Sequence, residues 1–128
     1  MELHERAAGQ VVIIDVTGPV ERESEEALVL LARLRAILDR GDQHILLNVA
    51  KVTYVDSLLL GSIIQAYVTA VRNGGGLKLV NVSPRFQQLL AVTKLGRVLP
   101  AFDSEEAAIA SFSRPDPNRD LEKLLDGL

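Results

Sequence analysis

Hydrophobic positions along this chain change repeatedly between two spacings, one typical of strands and one typical of helices. Residues 11–16 form a short run of valine and isoleucine interrupted only by Asp15, which predicts a buried strand that ends at Thr17-Gly18-Pro19. Residues 2–6 alternate weakly and predict an edge strand, paired with that run through residues 7–10. Three further strands are predicted over residues 44–49, 77–82 and 98–102.

The segments between these strands repeat hydrophobic residues at the spacing of one helical face. Residues 23–40 predict the first helix, with Ser24 as its N-cap. Gly41 is placed to end this helix in the left-handed conformation. Residues 60–71 carry the apolar face of a second helix, which is predicted to end at residues 73–76.

Two further helices are indicated by their first residues. Ser83-Pro84 combines an N-cap with proline at the first helical position, and predicts a helix that runs toward Gly96. Asp103 with Glu106 is similar to a capping box, and predicts a final helix through Phe112.

Strands separated by helices indicate parallel pairing with right-handed crossovers. The sequence therefore predicts an α/β fold, with a mixed, mostly parallel sheet of four to five strands packed with about four helices. One domain is predicted over residues 1–112, followed by a C-terminal tail, residues 113–128, that forms a loose amphipathic turn or is disordered. The predicted core includes Val12, Ile14, Leu34, Leu46, Ile63, Leu79 and Leu90.

Composition excludes several classes of protein. Of 128 residues, 48% are hydrophobic and 24% charged, which is typical of a globular domain, and no apolar run approaches the roughly 20 residues of a membrane span. The net charge of −3 offers no basic surface for nucleic acid. Cysteine is absent, and His4 and His44 stand apart from any acidic cluster, so neither a metal nor a cofactor is predicted. With no secretory signal, a soluble cytoplasmic domain is predicted, without direct membrane insertion.

Catalytic constellations are also missing from the sequence. No serine–histidine–acid or paired-carboxylate arrangement can be proposed. The glycines at 74–76 follow a helix and precede a strand, the reverse of a nucleotide-binding loop, and predict a turn. Asp56 after a central strand is compatible with a phosphoaspartate receiver domain, but Asp15 lacks the second acid that magnesium would require. The chain is predicted not to be an enzyme, with no catalytic residues.

The most informative segment is Tyr54-Val55-Asp56-Ser57-Leu58-Leu59-Leu60-Gly61, which joins an apolar run to a helical pattern. It resembles the signature loop of the STAS family, the bacterial anti-sigma factor antagonists and their relatives. The usual form in that family is Asp-Ser-Ser-Gly-Leu-Gly, whose second serine accepts phosphate from a partner kinase. Here Leu58 stands at the second-serine position and Leu59 at the first glycine. Residues 81–84 and 102–108 are also similar to family members, and the element order matches over roughly residues 2–112.

The resemblance implies a binding module that docks to an anti-sigma factor of the serine-kinase type, releasing a sigma factor and permitting transcription. In phosphorylatable members, phosphate on the loop blocks docking and a phosphatase restores it. The predicted docking surface is the signature loop with the exposed side of its helix: Asp56, Ser57, Leu58, Leu59 and Ser62.

The start of a helix is a favourable place for a phosphate, because it offers unpaired N–H groups and the positive end of the helix dipole. Ser57 is the candidate phosphoacceptor, although it lies one residue, or about 100° of helical rotation, before the usual acceptor. Asp56 is predicted to be the N-cap of the helix, which is compatible with a regulatory role. The phosphorylation site is therefore interpreted as degenerate.

Two alternative functions stay open from the sequence. A STAS subunit of a lipid-transport ABC complex needs no phosphorylation and fits the missing serine equally well. A small α/β enzyme is an alternative of a different class.

The three leucines at 58–60 cannot all face the core, so they predict either partial burial against neighbouring segments or a small apolar patch that docks a partner. Gly61 is interpreted as permitting close packing on the sheet.

Overall fold

The computed structural model describes residues 1–17, 23–52 and 55–113. The predicted turn at Gly18-Pro19, the start of the signature loop at Tyr54 and the tail beyond Ser113 lie outside the described residues.

Strands and helices alternate along the chain, as the sequence predicts. The strands are β1 (Glu2–Ala8), β2 (Val11–Thr17), β3 (His44–Asn48), β4 (Gly76–Val80) and β5 (Ala101–Phe102). The helices are α1 (Glu23–Asp39), α2 (Ser57–Arg72), α3 (Pro84–Thr93), a 3₁₀ turn (Leu95–Arg97) and α4 (Glu105–Ser111).

The five strands form one sheet in chain order, β1-β2-β3-β4-β5. β1 is antiparallel to β2, and the remaining pairs are parallel. The prediction of a mixed, mostly parallel sheet with four helices is confirmed, and so is the edge-strand pairing through the turn at Gly9, whose φ is +61°.

Side chains that alternate along each strand divide the core between the two faces of the sheet. On one face, which we call the inner face, Val12, Ile14 and Val16 of β2 pack in a large cluster with α1, α2 and α3. On the opposite, outer face, Val11 and Ile13 belong to a smaller cluster with Ala108 of α4. Because both faces of β2, β3 and β4 are covered, these strands are nearly continuous in hydrophobic residues.

The seven residues predicted for the core are all buried, each with at most 5% of its surface exposed. The glycine turn is also confirmed, and Gly75 shows why it needs glycine. A Cβ atom added there would lie 1.8 Å from the carbonyl oxygen of Gln43. That oxygen accepts a 2.9 Å hydrogen bond from the Gly76 N–H, which ties the turn to the start of β3.

Two predicted helix starts are shifted. α1 begins at Glu23, so Ser24 lies in its first turn and not at the N-cap. The N-cap of α4 is Ser104 and not Asp103, because the Ser104 hydroxyl accepts the Ala107 N–H at 3.2 Å. At α4 the shift is one residue, the distance over which neighbouring polar residues compete for a cap. At α1 the helix begins two residues earlier than a cap at Ser24 would require. Ser83 is confirmed as the cap of α3, since its Oγ accepts the Phe86 N–H.

Three predicted strands are shorter in the structure, and β3 is the least changed, since it ends at Asn48 and not at Val49. β4 ends at Val80, because Asn81 adopts a left-handed conformation with φ of 62°. β5 holds only Ala101 and Phe102. Val98 and Leu99, predicted to begin β5, follow the 3₁₀ turn and are buried in the inner cluster.

Leu34 provides a test of the inner core, because it lies on α1 and its side chain is fully buried in the inner cluster. We expect Leu34→Ala to lower the free energy of unfolding by about 2–5 kcal/mol through lost burial and the cavity left behind. Val92→Ala is the matched control, since Val92 is 81% exposed and its truncation should change stability by less than about 0.5 kcal/mol. Chemical denaturation measures both, and equal effects would contradict the assigned register.

Candidate functional site

The signature loop leads from the end of β3 into the first turn of α2. Asp56 is the N-cap, with extended backbone angles of −119° and 178°. Its Oδ1 accepts the Leu59 N–H at 2.8 Å, and its carbonyl oxygen accepts the Leu60 N–H at 3.1 Å. The prediction that Asp56 lies at a helix N-terminus is confirmed. Ser57 is the first helical residue and is exposed.

The three leucines that follow point in different directions, as the sequence analysis expects. Leu59 and Leu60 are buried, with 2% and 1% of their surfaces exposed, while Leu58 is 49% exposed. Each step along a helix rotates the side chain by about 100°, so three consecutive leucines cannot share one face. The position of the family's usual acceptor serine therefore presents an apolar side chain at the surface.

The prediction that all five docking residues lie on the exposed side is wrong for Leu59 and Ser62. Leu59 begins the buried stripe of α2, which continues at Ile63 and Ala66. Ser62 is only 5% exposed, and its hydroxyl donates to the Leu58 carbonyl oxygen at 3.2 Å. Leu59 and Ser62 are therefore buried residues of α2, whereas Ser57 and Leu58 are exposed at its surface.

Gly61 also differs from its interpretation as a close-packing residue. A Cβ atom added at Gly61 would meet no atom within 4 Å. Gly61 lies three residues after Leu58, so both are on the same side of α2. The first two turns of this side therefore combine an exposed leucine with a glycine that has open space at its Cβ position.

A second apolar contribution comes from α1, and the sequence analysis missed it. Leu28 and Val29 are 65% and 56% exposed. Both lie off the helical stripe that predicts the core, and an apolar residue off the stripe is the signal that could have identified them.

The start of α1 lies near the start of α2. Both helices follow parallel strands, so they run in the same direction, and Arg35 of α1 donates to Gln65 of α2 at 3.3 Å. Leu28 and Leu58 each lie seven residues before that contact, which is about two helical turns. Leu28 and Leu58 are therefore at the same level along neighbouring helices, and we call Leu28, Leu58 and Gly61 the docking face, as a candidate surface for a partner.

Polar side chains occupy the outer face at the same end of the strands. Asp15, which has no second acid beside it in the sequence, accepts from Arg6 at 2.7 and 3.0 Å and from Asn48 at 2.8 Å. Asn48 in turn accepts from Asn81 at 3.1 Å. The Arg6 guanidinium holds the pKa of Asp15 below its usual range. This network joins β1, β2, β3 and the residue after β4, and it stabilises the strand register.

Neither a metal-binding cluster nor a membrane-spanning helix is found among the described residues. No three histidine, aspartate or glutamate side chains among residues 1–17, 23–52 and 55–113 converge on a metal position. None of the described helices is long and apolar enough to cross a bilayer.

Comparison with known proteins identifies the family. The STAS domain model matches residues 3–108. An anti-sigma F factor antagonist from Paenibacillus polymyxa is 27% identical over 102 residues, which cover 80% of this chain and 86% of that protein.

Two solved structures share the fold. A proposed anti-sigma factor antagonist from Thermotoga maritima has a TM-score of 0.77 at 22% identity, covering 88% of this chain and 95% of that one. The phosphorylated form of the Bacillus cell fate determinant SpoIIAA has a TM-score of 0.67 at 19% identity, covering 85% and 97%. Together with the family match over most of its length, these results establish that the chain belongs to the STAS domain family.

Proposed function

We propose that this protein is an anti-sigma factor antagonist, a binding module that docks to an anti-sigma factor through the docking face and the signature loop. The observation that carries the proposal is Leu58, which is 49% exposed in the first turn of α2. Burial of such a side chain by a partner stabilises a complex, because the leucine loses its contact with water. The name of the Paenibacillus polymyxa relative supports the same function.

Gly61 supports the location of this surface. Glycine within a helix costs roughly 0.5–1 kcal/mol relative to alanine, because it loses more backbone freedom on folding. Nothing inside the described part of the fold occupies the space above Gly61. We infer that Gly61 leaves room for a partner to contact the helix backbone beside Leu58, since packing within the described fold does not require a glycine here.

The proposed docking is not switched by phosphate at the usual position. Leu58 has no hydroxyl, and Ser57 is the neighbouring exposed hydroxyl in the first turn of α2. A phosphate at Ser57 would add between −1.5 and −2 charges, at roughly neutral pH, beside an apolar surface. We therefore infer that the partner binds the unmodified protein, so that a phosphatase has no phosphoserine to act on. The resemblance to the family implies that this partner is of the serine-kinase type.

In this proposal the chain contributes binding and no catalysis, and it requires no cofactor. Affinity purification of the tagged protein from its native cells identifies the partner class. Recovery of a kinase-like anti-sigma factor supports the proposal. Recovery of a transporter ATPase instead would establish the alternative, a subunit of a lipid-transport complex.

The first prediction from this proposal concerns the exposed leucine. We expect Leu58→Asp to weaken binding to the anti-sigma factor at least tenfold, since central apolar contacts typically contribute about 2 kcal/mol. Isothermal calorimetry measures the change. Val92→Asp, which places the same charge at an exposed valine of α3, should leave the affinity unchanged. Equal losses in both variants would contradict a docking face at α2.

The glycine provides an independent prediction. Gly61→Ala should raise the free energy of unfolding by roughly 0.5–1 kcal/mol, because helix propensity improves and the added methyl group meets no neighbour. The same variant should weaken binding, and Gly61→Leu should weaken it further. Gln88→Ala on the exposed side of α3 controls for general effects of alanine. If Gly61→Leu binds as tightly as the natural protein, this part of α2 lies outside the interface.

Phosphorylation tests the absence of a switch. Incubation with the cognate kinase and ATP, followed by mass spectrometry, should show little or no phosphate, and partner binding should persist with ATP present. Leu58→Ser should recover transfer, incompletely because Leu59 replaces the glycine of the family motif. Efficient phosphorylation at Ser57 that is lost in Ser57→Ala would instead show an ordinary switch displaced by one residue.

A further inference from the structure

Among the described residues, one very short helix covers the outer face of the sheet. α4 contains seven residues, and only Ala108 and Ser111 among them are buried. A helix of this length is not stable alone in water, because nucleation costs more than a few hydrogen bonds return. Its contacts with the sheet therefore decide whether α4 stays in place.

The N-terminal end of α4 is held by an ion pair. Arg6 of β1 donates to both carboxylate oxygens of Glu105, from Nη1 at 2.6 Å and from Nη2 at 2.9 Å. This paired geometry is the stronger arrangement of arginine with carboxylate. Arg6 also holds the pKa of Glu105 below its usual range, so the pair stays ionised in mildly acidic solution.

The C-terminal end of α4 is held by a lysine on the interior strand β4. Lys78 is 6% exposed, and its Nζ donates to the Ser111 hydroxyl at 2.7 Å. The same Nζ lies 4.4 Å from the centre of the Phe112 ring, a favourable position for a cation and an aromatic face. His44 contacts Phe112 as well, with ring centres 5.1 Å apart and planes tilted by 50°. Phe112 is therefore held between a buried ammonium and an imidazole.

His44 is poorly placed to carry a charge. Its Nδ1 is buried and has no hydrogen-bond partner among the described residues. A neutral ring can leave Nδ1 as an acceptor without a proton, whereas the charged ring would bury an unsatisfied N–H donor. Of the charged groups nearby, Lys78 on β4 repels a second cation, and Asp42 before β3 is already paired with Arg40 at 2.5 Å. Burial and Lys78 hold the pKa of His44 below 6.5.

We propose that His44 makes α4 a pH-sensitive latch, in which protonation of His44 releases Phe112 and the last turn of α4 from the outer face of the sheet. Release would uncover apolar residues that α4 now helps to bury, Val11, Ile13, Leu46 and Val80. The docking face is on the opposite side of the sheet, so the latch is independent of the proposed function.

The sign of the effect follows from the two states of His44. In the released state the imidazole takes its ordinary pKa of about 6.5, and in the closed state its pKa is lower. As the pH falls below about 6.5, the released state binds a proton that the closed state does not bind. The closed state therefore loses stability on acidification, down to the pKa that His44 has in the closed state.

Hydrogen exchange followed by mass spectrometry tests the latch. Measured at about pH 7.5 and about pH 5, and corrected for intrinsic exchange rates, the protection of the α4 amides should fall on acidification. The fall should approach tenfold for each pH unit below about 6.5, or about thirtyfold at pH 5, down to the pKa of His44 in the closed state. Amides of α2 serve as the internal reference and should keep their protection. His44→Leu, which keeps the bulk but cannot be protonated, should remove the pH dependence in α4.

Two matched variants separate the latch from general loosening. Glu105→Gln removes the ion pair at the other end of α4 and should lower its protection by a similar factor at both pH values. Lys78→Met should raise the pKa of His44 measured by NMR titration. Unchanged protection of α4 at acid pH, the same pH dependence in His44→Leu, or simultaneous loss of protection in α2 would each overturn the proposal.

Discussion

The parallel pairing of β2 with β3 and of β3 with β4 is the constraint on which the rest of the structure depends. Parallel strands joined by right-handed crossovers require a helix after each strand, and successive crossovers in one direction place those helices on one face. α1 and α2 therefore start beside each other at the carboxyl edge of the sheet. The exposed residues Leu28 and Leu58 share a surface because of this topology, although thirty positions separate them in the sequence.

Burial explains how much of the fold the sequence predicts. Where a side chain is fully enclosed, as at Leu34 or Leu79, hydrophobic spacing alone indicates the element and its register. Where neighbouring residues compete for one role, spacing is insufficient. Asp103 and Ser104 can both cap a helix, and the tertiary position of α4 selects Ser104. β5 is shorter than predicted because Val98 and Leu99 follow the 3₁₀ turn and are buried in the inner cluster.

The candidate site is less predictable, since it depends on residues that depart from their pattern. The resemblance to the family motif indicates the loop, and helical rotation predicts that three leucines diverge. Helical rotation alone does not predict which leucine faces solvent, because the orientation of α2 about its own axis is set by its packing on the sheet. Contacts between distant residues, such as Arg6 with Glu105 or His44 with Phe112, leave no trace in spacing and appear only in the structure.

The two faces of the sheet depend on their surroundings in different ways. The inner face is held by a large hydrophobic cluster, and the described buried residues of this cluster include no aspartate, glutamate, histidine, lysine or arginine whose charge would respond near neutral pH. The outer face is held largely by Arg6, Lys78 and their partners around a smaller apolar cluster. A change of pH or salt therefore acts first on α4 and leaves the framework of α1 and α2 in place. The fold can thus keep the proposed docking face in place while the opposite face responds to solution conditions.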